Sequence, residues 1–93
     1  MKESYLEKRC CAYAEKEHGV ISYKIYSSAG APDRIFLYKG RAIFIEFKKE
    51  GGKVSSLQKY CHDKLRKDGF KVFVIDDFDV FKNLITFWVD KKC

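Results

Sequence analysis

The chain has 93 residues, and its 19 lysines and arginines exceed its 13 aspartates and glutamates, giving a formal net charge of +6 and a pI of about 9.2. This length predicts a single domain over residues 1–93, near the lower size limit for independent folding. With 46% hydrophobic residues, the composition excludes a disordered protein. The sequence has no apolar run of about 18 residues or more, which excludes a membrane-spanning helix.

The N-terminal segment and the charge indicate where the protein acts and on what. Residues 1–8 lack the apolar stretch of a signal peptide, which predicts a cytoplasmic location. The excess of positive charge makes a polyanion such as nucleic acid the first partner to consider. No membrane partner is expected.

The cysteines and histidines do not form a zinc-binding pattern. The four cysteines include no CxxC pair, and with the two histidines they complete no zinc-ligand spacing. In a reducing cytoplasm the cysteines are predicted to be small, partly buried thiols. His18 and His62 are predicted to lie at the surface or at helix ends.

The first predicted element is a helix over residues 4–18, because apolar residues recur there every three or four positions. Ser4 with Glu7 fits a capping box at its start. Gly19 is predicted to end it.

Three strands are predicted next, because β-branched and aromatic residues concentrate in three short segments. They span residues 20–27, 35–38 and 42–48. A turn through Pro32 separates the first two strands, and a tight Lys39-Gly40 connection joins the second to the third.

The C-terminal part is predicted to hold a helix over residues 56–68, a strand over 71–75 and a last helix that starts at residue 78 after an Asp77 cap. The buried face of the first of these helices is predicted to carry Leu57, Cys61 and Leu65. The strand is apolar throughout, which predicts burial on both faces. Residues 85–89 fit a helix or a strand equally. The order α-β-β-β-α-β-α predicts an α/β (α+β) fold, with a mixed sheet flanked by helices.

Charged residues on the third strand carry the chemistry. Glu46 and Lys48 point to one face of it, since side chains alternate along a strand. Burying them costs desolvation energy, which a metal and a phosphate would offset. Pairing through the tight turn brings Asp33 to the same sheet end as Glu46. Two carboxylates and the Phe47 carbonyl suit Mg²⁺, which activates water, while Lys48 would orient that water or stabilise developing charge.

Each of these residues also has a purely structural interpretation. Asp33 follows a proline, a combination that is common in turns. Glu46 and Lys48 could form an ion pair at a sheet edge. Gln58 follows Ser55 at capping-box spacing, which would explain it without any role in a site.

The pattern Pro32-Asp33, Glu46 and Lys48 resembles that of the PD-(D/E)XK nuclease superfamily. The surrounding segments resemble the VRR-Nuc (virus-type replication-repair nuclease) group over about residues 3–77: GAPDRI, FIEFK, GKVSSLQ and LRKDGFKVFVI. This resemblance implies a restriction-endonuclease-like fold and a metal-dependent DNA endonuclease. It also implies Mg²⁺ as the cofactor, replaceable by Mn²⁺, without a small-molecule cofactor.

A chain that holds only this domain resembles the stand-alone forms of phages and bacteria, which are similar to Holliday-junction resolvases. The resemblance implies a homodimer acting on branched DNA, since a four-way junction offers two symmetric strands. It places a phage-encoded protein in the host cytoplasm. The last helix is the predicted dimer interface, because it carries more apolar bulk than a small monomer should expose: Phe78, Phe81, Leu84, Phe87 and Trp88.

The resemblance assigns site roles to named residues: metal binding to Asp33 and Glu46, catalysis to Lys48 and arrangement of the site to Gln58. In relatives, a glutamate of the first helix also approaches the metal. Glu7 is the better match to it, and Glu3, one turn earlier, is the second choice.

Basic residues near the predicted site are candidates for DNA contact. Lys24 and Arg34 match family positions, and the resemblance implies that they contact phosphate. Residues 48–71 contain eight basic and three acidic residues, so most of the excess charge lies there. Within this segment, Lys49 and Lys53 lie beside the predicted site, where they could hold phosphates.

The alternative function is a nucleic-acid-binding module without catalysis. The opening order α-β-β-β-α is that of double-stranded-RNA-binding domains, which recognise shape with basic patches. A degenerate nuclease fold used only for binding is a nearer variant. Such modules have no reason to place Glu46 on the side that faces the phosphates.

Overall fold

The computed structural model describes residues 2–27 and 29–91, which form three helices and one sheet of four strands. The elements are α1 (Glu3–His18), β1 (Ile21–Lys24), β2 (Arg34–Tyr38), β3 (Arg41–Phe47), α2 (Ser56–Lys67), β4 (Lys71–Ile75) and α3 (Phe78–Asp90). This order confirms the predicted α-β-β-β-α-β-α arrangement and the mixed α+β fold. None of the helices in the described ranges is long and apolar enough to cross a membrane.

The sheet has the order β1-β2-β3-β4, in which the first three strands are antiparallel and β4 runs parallel to β3. Lys39 and Gly40 both have positive φ, 46° and 78°, as a tight two-residue hairpin requires. This turn fixes the register in which Arg34 pairs with Ile45. One step further along that register, Asp33 lies opposite Glu46. The turn chemistry therefore determines which carboxylates meet.

The core lies between the sheet and the pair α1 and α3, which pack against each other. Its buried side chains come from both helices and from the inner face of the sheet: Leu6, Cys10, Ala14, Phe36, Ile43, Ile45, Phe47, Phe81, Ile85 and Trp88. The other face of the sheet is covered by α2, which packs against β4. Because side chains alternate along β3, Glu46 points to the α2 side, away from this core.

Two of the three predicted helix caps are present. The Ser55–Gln58 capping box is formed in full, and the side chain of Asp77 accepts a hydrogen bond from the Val80 N–H at 3.0 Å. The Ser4–Glu7 box is absent, because α1 already begins at Glu3 and Ser4 lies inside its first turn. The side chain of Glu7 is therefore available for tertiary contacts.

The burial of β4 and α2 differs from the prediction. In β4, which is an edge strand, Lys71 is exposed at the start of the strand. Val74 is 40% exposed on the opposite face, which α2 covers only in part. In α2, Leu57 is 49% exposed, whereas His62 is the buried residue at 1%. The prediction of a surface His62 was wrong, because α2 turns the histidine towards Glu46.

The last helix is continuous through residues 85–89 and packs into the core. Phe81, Ile85 and Trp88 are buried there, so most of the apolar bulk of α3 is used within the chain. Phe87 alone among the five predicted interface residues is largely exposed, at 73%. The composition of α3 therefore gives no argument for a dimer interface.

The turn before β2 packs tightly against α2. Gly30 has φ of 90°, and a Cβ there would lie 2.8 Å from Leu57 Cγ and 2.9 Å from Cys61 Sγ. Only glycine combines this backbone conformation with so close an approach. The segment that leads into Asp33 is thus held against the helix that carries Gln58.

The three cysteines among the described residues are free thiols. Cys10 is buried, and Cys11 and Cys61 are half-buried. Burial is the main cause that raises the pKa of Cys10 to about 12, so this thiol stays protonated at neutral pH. The fourth cysteine, Cys93, lies outside the described residues.

Candidate active site

The centre of the candidate site is the pair of carboxylates on neighbouring strands. Glu46 is only 2% exposed, while Asp33 is half-buried and its Oδ2 accepts a hydrogen bond from the Phe47 N–H at 2.8 Å. Burial, and then the negative charge of Asp33, raise the pKa of Glu46 to about 7. The folded chain therefore favours either a proton or a cation at this pair.

The donor set at this pair fits a hard divalent cation. Glu46 Oε1 is buried and has no hydrogen-bond partner among the described residues, so it can accept a further ligand. Residues 2–27 and 29–91 contain no group of three or more His, Cys, Asp and Glu side chains that could hold a metal by themselves. Two carboxylates suit Mg²⁺, which commonly takes one or two of them and keeps several waters. The Phe47 carbonyl, beside Glu46 on the same strand, can supply a third oxygen.

Lys48 directly follows Phe47, the last residue of β3. Its backbone N–H donates to the carbonyl of Ile75 at 2.9 Å, which extends the parallel ladder with β4. The side chain shares the Glu46 face of the strand and is half-buried. Its positive charge acts on Glu46 in the direction that lowers the pKa of that carboxyl, although burial prevails. The positively charged side chain of Lys48 thus lies beside the two carboxylates.

Gln58 both caps α2 and contacts Glu46, which are the two roles that the sequence left open. Its Oε1 accepts from the Ser55 N–H at 2.8 Å, and its own N–H donates to Ser55 Oγ at 3.1 Å. The Nε2 of the same amide donates to Glu46 Oε2 at 3.2 Å. Because the cap holds one end of the amide, it points the other end at the carboxylate.

Replacing Ser55 by alanine is expected to lower the free energy of unfolding by about 1 kcal/mol, because the Gln58 N–H loses its partner at the start of α2. Urea denaturation measures this change. Ser56→Ala is the matched control, since Ser56 is the first residue of the helix itself and is exposed. Equal unfolding free energies for the two variants would contradict the capping role.

His62 lies next to Glu46 and was missed in the sequence. Its Nε2 is 3.4 Å from Glu46 Oε1, and neither atom makes a hydrogen bond. Burial is the main cause that lowers the pKa of His62. The available signal was its spacing of four residues from Gln58, which places both side chains on one face of α2.

Glu7 lies in a separate cluster with Lys24 and Arg34. Lys24 Nζ donates to both of its carboxylate oxygens, at 3.1 and 3.0 Å, and Arg34 Nε donates at 2.7 Å. Because Arg34 pairs with Ile45, its side chain lies on the sheet face opposite to Glu46. The structure therefore commits Glu7 and Arg34 to an ion pair on the other sheet face, while the charge of Asp33 still acts on Lys24 in the direction that raises its pKa, after the larger effect of Glu7.

The α1 glutamate whose charge reaches the pair is Glu3. It contributes to raising the pKa of Glu46, after the larger effects of burial and of Asp33. Glu3 begins α1 and is exposed, so its side chain has room to turn towards a ligand. Glu3, the second choice from the sequence, is thus the α1 glutamate whose charge acts on the carboxylate pair.

The basic residues after β3 divide into paired and unpaired groups. Lys59 and Arg66 of α2 both form ion pairs with Asp63, at 2.8 and 3.2 Å. Lys49 and Lys53 are exposed and form no ion pair with any residue that the structure describes. These two lysines follow the site strand and are free to hold an anion beside it.

The fold is similar to that of a known nuclease-family domain. A solved structure described as a VRR_NUC domain superposes on this chain with a TM-score of 0.83 and is 30% identical in sequence. The match covers 92% of this chain and 96% of that one. No family model and no curated protein sequence matches the chain.

Proposed function

Since this chain belongs to the VRR-Nuc domain family, a group of PD-(D/E)XK-type nucleases that hydrolyse phosphodiester bonds, we propose that it is a metal-dependent DNA endonuclease with its active site at Asp33, Glu46 and Lys48. The observation that carries this proposal is the Glu46 carboxylate, which is 2% exposed and lies beside Asp33, whose negative charge contributes, after burial, to raising its pKa. Placing two carboxylates side by side is unfavourable and a bound cation would offset their repulsion, whereas an ion pair at a sheet edge needs only one carboxylate. The fold shared with a VRR_NUC domain sets aside the double-stranded-RNA-binding alternative.

Asp33, Glu46 and the Phe47 carbonyl would hold Mg²⁺, for which Mn²⁺ could substitute. When bound, the cation supplies a Lewis acid that polarises a phosphoryl oxygen and lowers the pKa of a water. Gln58 keeps one Glu46 oxygen in place by its hydrogen bond. We assign the role of the α1 glutamate to Glu3 in place of Glu7, whose carboxylate is already held by Lys24 and Arg34.

Lys48 acts on the scissile phosphate and on the attacking water. Its ammonium group neutralises negative charge that develops on the phosphate, and its N–H groups orient the water for in-line attack. The attack breaks the bond between phosphorus and the 3′ oxygen, so the products carry a 5′-phosphate and a 3′-hydroxyl.

The test of the proposed function is a cleavage assay on three synthetic DNAs: a four-way junction, a splayed duplex and a plain duplex. Each is incubated with the protein in Mg²⁺, in Mn²⁺ or in EDTA. We expect cuts in either metal and none in EDTA. Tight binding without cuts in both metals would overturn the proposal in favour of a degenerate nuclease fold that only binds.

We also propose that the substrate is branched DNA and that the protein acts as a homodimer. Both proposals rest on the resemblance to stand-alone family members, since a junction offers two symmetric strands to two active sites. The junction is therefore expected to be cut faster than the plain duplex, on two opposed strands. A strictly monomeric species by light scattering at micromolar concentration would contradict the homodimer.

Lys49 and Lys53 are expected to contribute phosphate contacts to DNA binding. In an Asp33→Asn background, the double change of both lysines to alanine should reduce the slope of log K against log salt by about 2, at about 0.9 for each phosphate that is no longer neutralised. Fluorescence anisotropy at several salt concentrations measures the slope. Lys16→Ala is the control, since Lys16 lies about 20 Å along α1 from Glu3. An unchanged slope in the double variant would contradict these contacts.

A further inference from the structure

His62 and Glu46 present two buried polar atoms to each other across a short gap. The distance from His62 Nε2 to Glu46 Oε1 is 3.4 Å, and both atoms are sealed from solvent without a hydrogen-bond partner. Leaving one such group unsatisfied costs about 1–3 kcal/mol, so two that face each other require a physical reason. A small rotation of either side chain would bring them into a hydrogen bond.

Helix α2 already holds the other oxygen of this carboxylate. Gln58 donates to Glu46 Oε2 at 3.2 Å, and His62 follows Gln58 by four residues on the same helical face. The two side chains therefore approach Glu46 from the same helix, and each of them faces one of the two carboxylate oxygens.

We propose that His62 is a positioning residue which holds the ionised Glu46 carboxylate in its cation-binding orientation, through a hydrogen bond from Nε2–H to Oε1. This inference rests on the proposed function. Carboxylates that bind metals are themselves hydrogen-bonded in most sites, and removing such a partner typically weakens metal binding by about 10- to 100-fold. Catalytic hydrogen bonds are often long before the ligand binds and shorten when it does.

Burial argues for a positioning role and against direct coordination. His62 is 1% exposed, whereas Asp33 and Lys48 are half-buried and border the side that substrate and water can reach. The cation belongs on that open side, and His62 supports Glu46 from the closed side. An imidazole N–H donates one hydrogen bond, which is what the buried Glu46 oxygen lacks.

The test compares two substitutions of His62 by their affinity for Mn²⁺, which is measured by electron paramagnetic resonance. We expect His62→Leu to bind Mn²⁺ at least about 10-fold more weakly, because it lacks a donor. His62→Gln should bind within about 3-fold of wild type, because its amide can donate from nearly the same point. His18→Gln is the matched control and should leave the affinity unchanged, since His18 contacts Tyr13 at the far end of α1.

Equal Mn²⁺ affinity in His62→Leu and wild type would overturn the positioning role while leaving the proposed function intact. A directly coordinated imidazole nitrogen in the spin-echo modulation of the wild-type Mn²⁺ complex would also overturn it. Failure of the wild-type chain to bind Mn²⁺ would overturn the proposed function and this inference together.

A measurement on the wild-type chain covers the case in which His62→Leu does not fold. Imidazole ¹⁵N spectra report which ring nitrogen carries the proton, before and after Mg²⁺ is added. We expect His62 Nε2 to be protonated in the loaded protein and its proton to move downfield as the hydrogen bond shortens. An unprotonated Nε2 in the Mg²⁺-loaded protein would contradict the proposal.

Discussion

Asp33→Asn and Lys48→Ala are each expected to reduce metal-dependent cleavage of a four-way junction by about 10²- to 10³-fold, the range for loss of one preorganised group that stabilises developing charge. Asp33→Asn keeps the shape of the side chain and its acceptor oxygen for the Phe47 N–H, but removes the charge that a cation requires. Lys48→Ala removes the positive charge beside the phosphate and leaves the two carboxylates in place. Single-turnover kinetics with excess protein separate this loss from weaker DNA binding.

Controls for both changes come from the same residue types elsewhere on the surface. Asp90→Asn changes the last residue of α3. Lys71→Ala changes the first residue of β4, which is three pairs along the parallel ladder from Glu46. Both should cleave within about 2-fold of wild type, because surface substitutions away from a site have small effects. Cleavage by Lys48→Ala at the rate of Lys71→Ala would remove Lys48 from the proposed mechanism.

Glu46→Gln is expected to abolish cleavage and yet to stabilise the cation-free protein above about pH 7. The pKa of Glu46 rises from 4.5 to about 7 on folding, so the folded chain binds this proton more tightly than the unfolded chain. The stability that this group contributes is complete below pH 4.5 and is lost as the pH rises to about 7. A neutral glutamine avoids the loss, which is on the order of 2 kcal/mol above that range.

Urea denaturation of both proteins at about pH 5 and about pH 8 in EDTA tests this expectation. The stability difference in favour of Glu46→Gln should be large at the higher pH and small at the lower one. Glu17→Gln, an exposed change on α1, should show no such difference. A Glu46→Gln protein that is less stable than wild type at the higher pH would contradict the assigned cause.

Wild type and Glu46→Gln also test whether the cation binds at Glu46. Saturating Mg²⁺ should raise the stability of wild type by about 2.7 kcal/mol at a concentration 100 times its Kd, because it binds only the folded state. Glu46→Gln should gain little, since it has lost one charged ligand. The residue that lowers stability at neutral pH is therefore expected to be the one that makes the cation stabilising. Equal gains in the two proteins would place the cation elsewhere.

The strand part of the site was predictable because it depends on two local rules. Alternation along β3 puts Glu46 and Lys48 on one face, and the Lys39-Gly40 turn sets the register that brings Asp33 opposite Glu46. Both rules act over a few residues and need no knowledge of the helices. The order of the elements followed from the same local patterns.

The helix part was only partly predictable, because a helix can dock with more than one face. The apolar stripe of α2 suggested Leu57 as buried, but the polar contact with Glu46 turned His62 inwards instead. Gln58 was assigned to the site by the resemblance to the nuclease family, while its spacing from Ser55 predicted the capping box.

The partners of Glu7 were not predictable from spacing. Its ion pairs with Lys24 and Arg34 join α1 to β1 and β2, which are distant in the sequence. The absence of the Ser4 capping box left the Glu7 carboxylate free for that tertiary role. The ambiguity at residues 85–89 had a similar cause, since only packing of Ile85 and Trp88 into the core distinguishes helix from strand there.

The close contact of Gly30 with α2 has a consequence for how this site could change during evolution. The helix touches the segment before Asp33 through Gly30, and it touches Glu46 through Gln58. The gap between the two carboxylates is therefore set by the pairing of β2 with β3 together with the packing of α2 against both segments. Substitutions on the inner side of α2 could retune the preference for a smaller or larger cation while both carboxylates stay unchanged.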